Sequence, residues 1–218
     1  MSTDPESSVE RPVLSGFPAN LRVGGRRCLV VGAGHIAFRK INRLLDQNAV
    51  VEVVAPEASA EVRALVEAGR CTWAQREFAS SDVEGAWLVI TATGVPAVDL
   101  AVFEASEERQ IWVNSADDPS NCSLTLMALV RRGDIVVAIG TNGRSPALSA
   151  HLADRFRKEI GEEYETLLVI LEECRLELIA TGSSTEASNW RGALESGILE
   201  LIREGRLDEA RELLRSCL

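Results

Sequence analysis

The stretch "CLVVGAGHIAFRK", residues 28–40, decides how the rest of the chain is read. An apolar run ends in Gly32-Ala33-Gly34-His35-Ile36-Ala37. Apolar residues then recur at helical spacing, at Ile36, Ala37, Ile41, Leu44 and Leu45. A strand, a glycine turn and a helix in that order give the pattern G-x-G-x-x-G/A its meaning. The first glycine permits the tight turn and the second lets backbone approach a pyrophosphate. The third position needs a small residue for helix–strand packing, and Ala37 supplies one. The helix start offers unpaired N–H groups and a positive dipole end to phosphates. Gly32, Ala33, Gly34, His35, Ile36 and Ala37 are therefore the candidate cofactor seat.

Working outward, short apolar runs alternate with helix-period segments. Strands are expected at 28–32, 50–56, 71–78, 86–93 and 111–116, and helices at 34–47, 58–69 and 95–109. This rhythm predicts an α/β domain, a Rossmann-like parallel sheet with helices on both faces. The pattern changes at 122–143, where two strands meet at Arg132-Gly133-Asp134 without an intervening helix, which predicts a hairpin. From Ser145 the pattern is helical, with helices at 145–160 and 163–180, a polar loop, and two short helices over 190–218 split at Gly205. Residues 1–13 read as a disordered tail. The expected order is thus a Rossmann domain over 14–115, a small α+β region over 116–150 and a helical domain over 151–218.

Composition narrows the function classes. The chain has 218 residues, 46% hydrophobic, with a formal net charge of −10. Such a surface repels phosphate backbones, so no nucleic acid partner is expected. No apolar run reaches membrane-spanning length and the N-terminus lacks a secretory h-region, so no membrane partner is expected and the location is read as cytoplasmic. Five scattered cysteines without a CxxC argue against a disulfide framework or a zinc knuckle. Cys28, in a strand pattern, reads as a core residue. His35 and His151 are the two histidines and do not make a metal cluster, so no metal site is expected.

NAD-binding folds place an acid at the end of the second strand for the ribose. Here that end is Ala55-Pro56, with Glu52 mid-strand and Glu57 just beyond. No Arg or Lys sits there to take a 2′-phosphate, which favours NAD over NADP.

"NSADDPSNCS", residues 114–123, follows a strand end, where ligands gather in open α/β sheets. Asp117 or Asp118 could serve there as a general base, but taken alone these residues read rather as a solvated Asp-Asp-Pro turn. "IGTNGRSP", residues 139–146, is a second glycine loop before a helix. Thr141, Asn142, Gly143 and Ser145 offer donors and Arg144 a cation. With Arg155, Arg157 and Lys158 this is the most basic part of the chain, and Arg39 and Lys40 form another basic pair. Cations gathered on an acidic protein suit a carboxylate-rich ligand. Arg155, Arg157 and Lys158 fit a solvated helix face equally well.

The ordered series "FPANLRVGGRRCLVVGAGHIAFRKINRLL", "VVAP", "ITATGVPAVD", "VNSADDPSNCSL" and "VVAIGTNGRSPALSAHLADRFRKEI" resembles the precorrin-2 dehydrogenase family of siroheme biosynthesis. It is similar to stand-alone members and to the N-terminal module of trifunctional siroheme synthase, and the ending resembles the last helices of stand-alone members. The resemblance spans roughly residues 14–218, and no counterpart of the methyltransferase module is expected. It implies NAD as cofactor, with Thr91, Ala92 and Thr93 lining the cofactor cleft. It implies that Asn114-x-x-Asp117 is the family's Asn-x-x-Asp, making Asp117 the catalytic group. Thr141–Pro146 would be the family's Ser/Thr-Gly-Gly-x-Ser-Pro loop, with Asn142 in place of its first glycine. Asn114, Thr141, Asn142, Gly143, Arg144 and Ser145 then become substrate contacts. Implied partners are a tetrapyrrole (precorrin-2, sirohydrochlorin), a second copy of the chain joined through residues 116–150 and, in some members, ferrous iron as a substrate. The sequence leaves dehydrogenase alone or dehydrogenase with ferrochelatase open. The competing reading is a nucleotide-sensing regulatory module without catalysis.

Overall fold

The structure is a computed structural model that describes residues 16–186 and 188–218; the expected tail, 1–13, lies outside the described residues. The chain divides into two units, Met1–Leu126 and Met127–Leu218.

In the first unit, β1 (Arg27–Val31), β2 (Val50–Val54), β3 (Thr72–Ala74), β4 (Leu88–Thr91) and β5 (Trp112–Ser115) form one parallel sheet in the order β3-β2-β1-β4-β5. The central strand β1 is buried on both faces, which is why it reads as a continuous apolar run. Cys28 and Val30 join one core with Ala37, Ile41 and Leu44 of α1 (His35–Leu45) and Val62 of α2 (Ala60–Glu67). Leu29 and Val31 join the other core with Val102 and Ala105 of α3 (Pro96–Glu107). Each fully buried aliphatic side chain contributes about 1.5–3 kcal/mol relative to exposure. The expected α/β class and parallel rhythm hold. The third strand is shorter than 71–78, since the sequence after Ala74 turns polar.

In the second unit, β6 (Ala128–Arg132) and β7 (Ile135–Ile139) pair antiparallel as the expected hairpin, with α4 (Pro146–Glu159) against them. Arg132 of β6 donates to the carbonyls of Ile160 (2.9 Å) and Arg157 (3.0 Å), closing the C-terminal end of α4. Then follow α5 (Glu163–Ala180), α6 (Trp190–Leu194), α7 (Ile198–Arg203) and α8 (Leu207–Cys217). Leu167, Ile170, Cys174, Ala193, Ile198, Ile202, Ala210 and Leu214 make their core. Over 190–218 the two expected helices are three. Besides the break at Gly205, Gly197 takes φ +88, a left-handed conformation that stops α6 and starts α7.

Candidate functional site

The carboxyl ends of β1, β4 and β5 meet at one edge of the first unit. β1 delivers the chain to Gly32, whose φ is +103. A Cβ here would lie 2.3 Å from the Ala92 carbonyl oxygen and 2.7 Å from its carbon, both backbone atoms. Glycine is therefore what lets this turn lie against the end of β4. The Gly32 N–H donates to Val54 O (2.9 Å), and the Ser59 N–H donates to Ala33 O (2.9 Å).

Gly34 is different. Its φ of −81 suits any residue, and a Cβ would meet nothing within 4 Å. The fold does not require glycine there, whereas a ligand approaching the backbone would. Gly34 opens α1 with no side-chain cap, leaving the first-turn N–H groups to a ligand or water, while Ala37 is fully buried under them. His35 and Ile36 are exposed; Ile36 sits on the open first turn of α1 although its spacing matched the apolar face. A dinucleotide pyrophosphate fits this seat.

At the end of β4, Thr91 is fully buried, Ala92 nearly so and Thr93 partly. Both threonine hydroxyls donate to one oxygen, Asp99 Oδ1, the Thr93 bond measuring 2.7 Å. Thr93 Oγ1 also accepts from the Val95 N–H (3.0 Å). Sequence reasoning missed Asp99. Its signal was present, because Asp99 shares the buried stripe of α3 with Val102, Ala105 and Ser106, an acid on an otherwise inward face.

At the end of β5, Asn114 is buried. Its Nδ2 donates to Leu124 O (2.9 Å), while Oδ1 has no hydrogen-bond partner among the described residues. The Ala116 N–H donates to Thr91 O (2.9 Å), tying this loop to β4. The two aspartates then separate. Asp118 accepts from Ser120 Oγ (2.6 Å), Ser120 N (2.8 Å) and Asn121 Nδ2 (3.2 Å). The Ser120 hydroxyl first, then its amide, hold the Asp118 carboxyl below the usual range. Asp117 is exposed. Burial lowers the pKa of Lys40, with Arg43 and Arg39 acting the same way, while the charges of Cys122 and Asp117 oppose the shift. Lys40 is thus a cation within electrostatic reach of Asp117. The Cys122 thiol is pushed up by burial and accepts from the Ser115 N–H (3.1 Å).

Midway along β2, Glu52 is held by Arg27 through Nε (2.9 Å) and Nη2 (2.6 Å). Glu57 is exposed beyond Pro56, and Ala55 O accepts from Trp73 Nε1 (2.9 Å).

The loop Thr141–Pro146 lies in the second unit. Asn142 takes φ +49 and Gly143 φ +72, so asparagine adopts the left-handed conformation where the family pattern has glycine. Thr141 Oγ1 accepts from the Ser145 N–H (3.1 Å) and lies 3.1 Å from Ser149 Oγ, and Ser145 Oγ caps α4 through the Leu148 N–H (3.2 Å). Asn142, Gly143 and Arg144 are exposed. Arg155 pairs with Glu159 (3.7 Å) and Arg157 with Asp154, so two of the α4 cations are engaged on their own helix. Among the described residues no group of His, Cys, Asp and Glu is placed to hold a metal, and no helix is long and apolar enough to cross a membrane.

Residues 19–128, half of the chain, match a family model described as "Putative NAD(P)-binding". The chain is 36% identical over 204 residues to a siroheme synthase of Thioalkalivibrio sulfidiphilus (strain HL-EbGR7), covering 93% of this chain and 42% of that protein. It is 33% identical over 200 residues to a siroheme synthase of Methylococcus capsulatus (strain ATCC 33009 / NCIMB 11132 / Bath), covering 91% and 42%. The chain thus spans less than half the length of these curated relatives. A solved structure of SirC, precorrin-2 dehydrogenase, superposes with a TM-score of 0.70 at 26% identity, covering 93% of this chain and 98% of that one. The chain belongs to this NAD(P)-binding family, shared with siroheme synthases and SirC, and NAD is the cofactor that the family and the glycine turn support.

Proposed function

We propose that a chain of this family with this site oxidises precorrin-2 to sirohydrochlorin in siroheme biosynthesis, using NAD rather than NADP. The observation that carries the reading is Asp117. It stands at the same sheet edge as the glycine turn, exposed, while its neighbour Asp118 is consumed by the turn Pro119–Asn121. Support for NAD comes from the sequence just after β2, where Ala55-Pro56-Glu57 contains no Arg or Lys for a 2′-phosphate.

When bound, NAD supplies a hydride acceptor. Gly34 and the open first turn of α1 hold the pyrophosphate; Ala92 and Thr93 shape the adjacent wall, and Thr91 backs it from the buried side. The substrate loses a hydride and a proton, and the Asp117 carboxylate takes the proton. Lys40 places a positive charge within electrostatic reach of that carboxylate. Asn114 orients the loop that carries Asp117. Arg144, with the donors of Thr141, Asn142, Gly143 and Ser145, is proposed to hold the acidic arms of the tetrapyrrole. Ferrous iron insertion is a second activity the same carboxylate would serve, taking the pyrrole N–H protons as the metal enters. We read the protein as a cytoplasmic homodimer joined through residues 116–150, with the NAD-binding domain over 14–115 and the helical domain over 151–218.

The test is anaerobic incubation with enzymatically made precorrin-2 and NAD+, following NADH and sirohydrochlorin, then adding ferrous iron. Wild-type turnover that falls by about 10²–10⁴ in Asp117→Ala, with NAD+ binding intact, is the expected result. NAD+ binding without NADH formation by the wild type would remove the enzymatic reading and favour the nucleotide sensor.

A further inference from the structure

Asp99 is a buried acid, 4% exposed, with no ion pair among the described residues. Burying a carboxylate without a cation is costly, and the same stripe of α3 is otherwise closed by Val102 and Ala105. Its one described role is to receive the hydroxyls of Thr91 and Thr93 on a single oxygen. Those residues flank Ala92, whose carbonyl is the surface against which Gly32 packs. Thr91 also accepts the Ala116 N–H, one residue before Asp117 (2.9 Å). One carboxylate therefore fixes the strand end on which both the pyrophosphate turn and the Asp117 loop rest.

We propose that Asp99 is a positioning residue of the dinucleotide site: it locks the Thr91–Thr93 strand end and thereby sets the affinity for NAD. The inference rests on the NAD-binding reading above. Thr91 is fully buried, so it touches no ligand, and any effect of changing it on NAD affinity is transmitted through the strand end.

The experiment measures the NAD+ dissociation constant by calorimetry, KM and kcat in the precorrin-2 assay, and Tm, for wild type, Asp99→Ala, Asp99→Asn and Thr91→Val. Asp99→Ala is expected to raise Kd and KM for NAD+ about tenfold, equivalent to about 1.4 kcal/mol. Asp99→Asn, which keeps an acceptor oxygen, should recover most of that loss, and Thr91→Val should raise Kd in the same direction as Asp99→Ala. A merely structural role lowers Tm and leaves Kd in place; unchanged Kd in both Asp99→Ala and Thr91→Val overturns the proposal whatever Tm does. If Asp99→Ala does not fold, Thr91→Val decides alone, a raised Kd supporting the proposal and an unchanged one overturning it. A wild type that binds no NAD+ overturns this proposal together with the cofactor reading. A wild type that binds NAD+ but turns over no precorrin-2 removes only the substrate, and Kd still decides on Asp99.

Discussion

The two glycines of the turn should fail in opposite ways when each is changed to alanine. Gly32→Ala places a Cβ 2.3 Å from the Ala92 carbonyl oxygen at φ +103, against the backbone of the Ala92–Thr93 peptide. The unfavourable backbone conformation costs about 1–2 kcal/mol. Forcing atoms into packed surroundings adds about 1–3 kcal/mol. The total of about 2–5 kcal/mol lowers Tm by roughly 3 °C per kcal/mol for a chain of this size, near 6–15 °C. Relief can come only by moving the turn off β4, which strains Gly32 N–H to Val54 O and Ala92 N–H to Val31 O, each 2.9 Å. Gly34→Ala meets no atom within 4 Å at φ −81. Its stability cost stays below about 1 kcal/mol, that of a changed N-cap. Its methyl group, however, stands where the backbone must approach the pyrophosphate, and NAD+ affinity should fall at least about tenfold. Thermal melts by circular dichroism and NAD+ titration by calorimetry separate the two effects. Gly34→Ala that binds NAD+ as the wild type does refutes the placement of the pyrophosphate. Gly32→Ala with wild-type Tm refutes the close packing against β4.

Asp118→Ala should lower Tm while retaining precorrin-2 turnover, since its carboxylate closes a turn; loss of turnover at full Tm would transfer the catalytic role to it. Asp82→Asn should flatten the acid limb of stability. The Arg76 hydrogen bonds, chiefly, hold the Asp82 carboxyl below its ordinary value of 3.8, so its stabilisation is full above that value and lost as pH falls through the lowered one. The Tm difference from wild type should therefore be present at pH 7 and vanish in strong acid, and urea titrations across that range check it. Glu52→Gln should leave the ratio of NAD+ to NADP+ affinities unchanged in parallel calorimetric titrations, because Arg27 already occupies that carboxylate; a shifted ratio would make Glu52 the ribose ligand.

What the sequence made legible is what periodicity carries. Buried strands read as apolar runs, α1 as Ala37, Ile41, Leu44 and Leu45, and the hairpin as two strands about Arg132-Gly133-Asp134. Features that depend on how a side chain is spent were not legible. Asp117 and Asp118 are chemically identical in sequence, and only the Ser120 contacts show which one closes the turn. Glu52 looked like a misplaced ribose ligand until Arg27 accounted for it. Gly197 and Gly205 follow similar helical text, and counting both as breaks depends on a left-handed φ at each. The inward stripe of α3 pointed to Asp99, but its partners were hidden, since they lie across a loop on the strand end.

A physical criterion for function follows from the same contrast. The ends of β2, β1, β4 and β5 are bound in turn by backbone: Gly32 N–H to Val54 O, Ala92 N–H to Val31 O and Ala116 N–H to Thr91 O. Gly32 and Thr91 are explained in full by that platform, and Ala37 by its place in the core beneath α1. Gly34 and Asp117 are not. Gly34 has an ordinary φ and open space where a side chain would go, and Asp117 stands exposed beside a turn that Asp118 closes. A position that the fold would let vary, set on a rigid edge between positions that it would not, is where a ligand's requirements have to be met. Asp99 belongs between the two classes. It is buried like a core residue yet polar like a site residue, and that combination has a physical rationale where the strand end is held by hydrogen bonds as well as by packing.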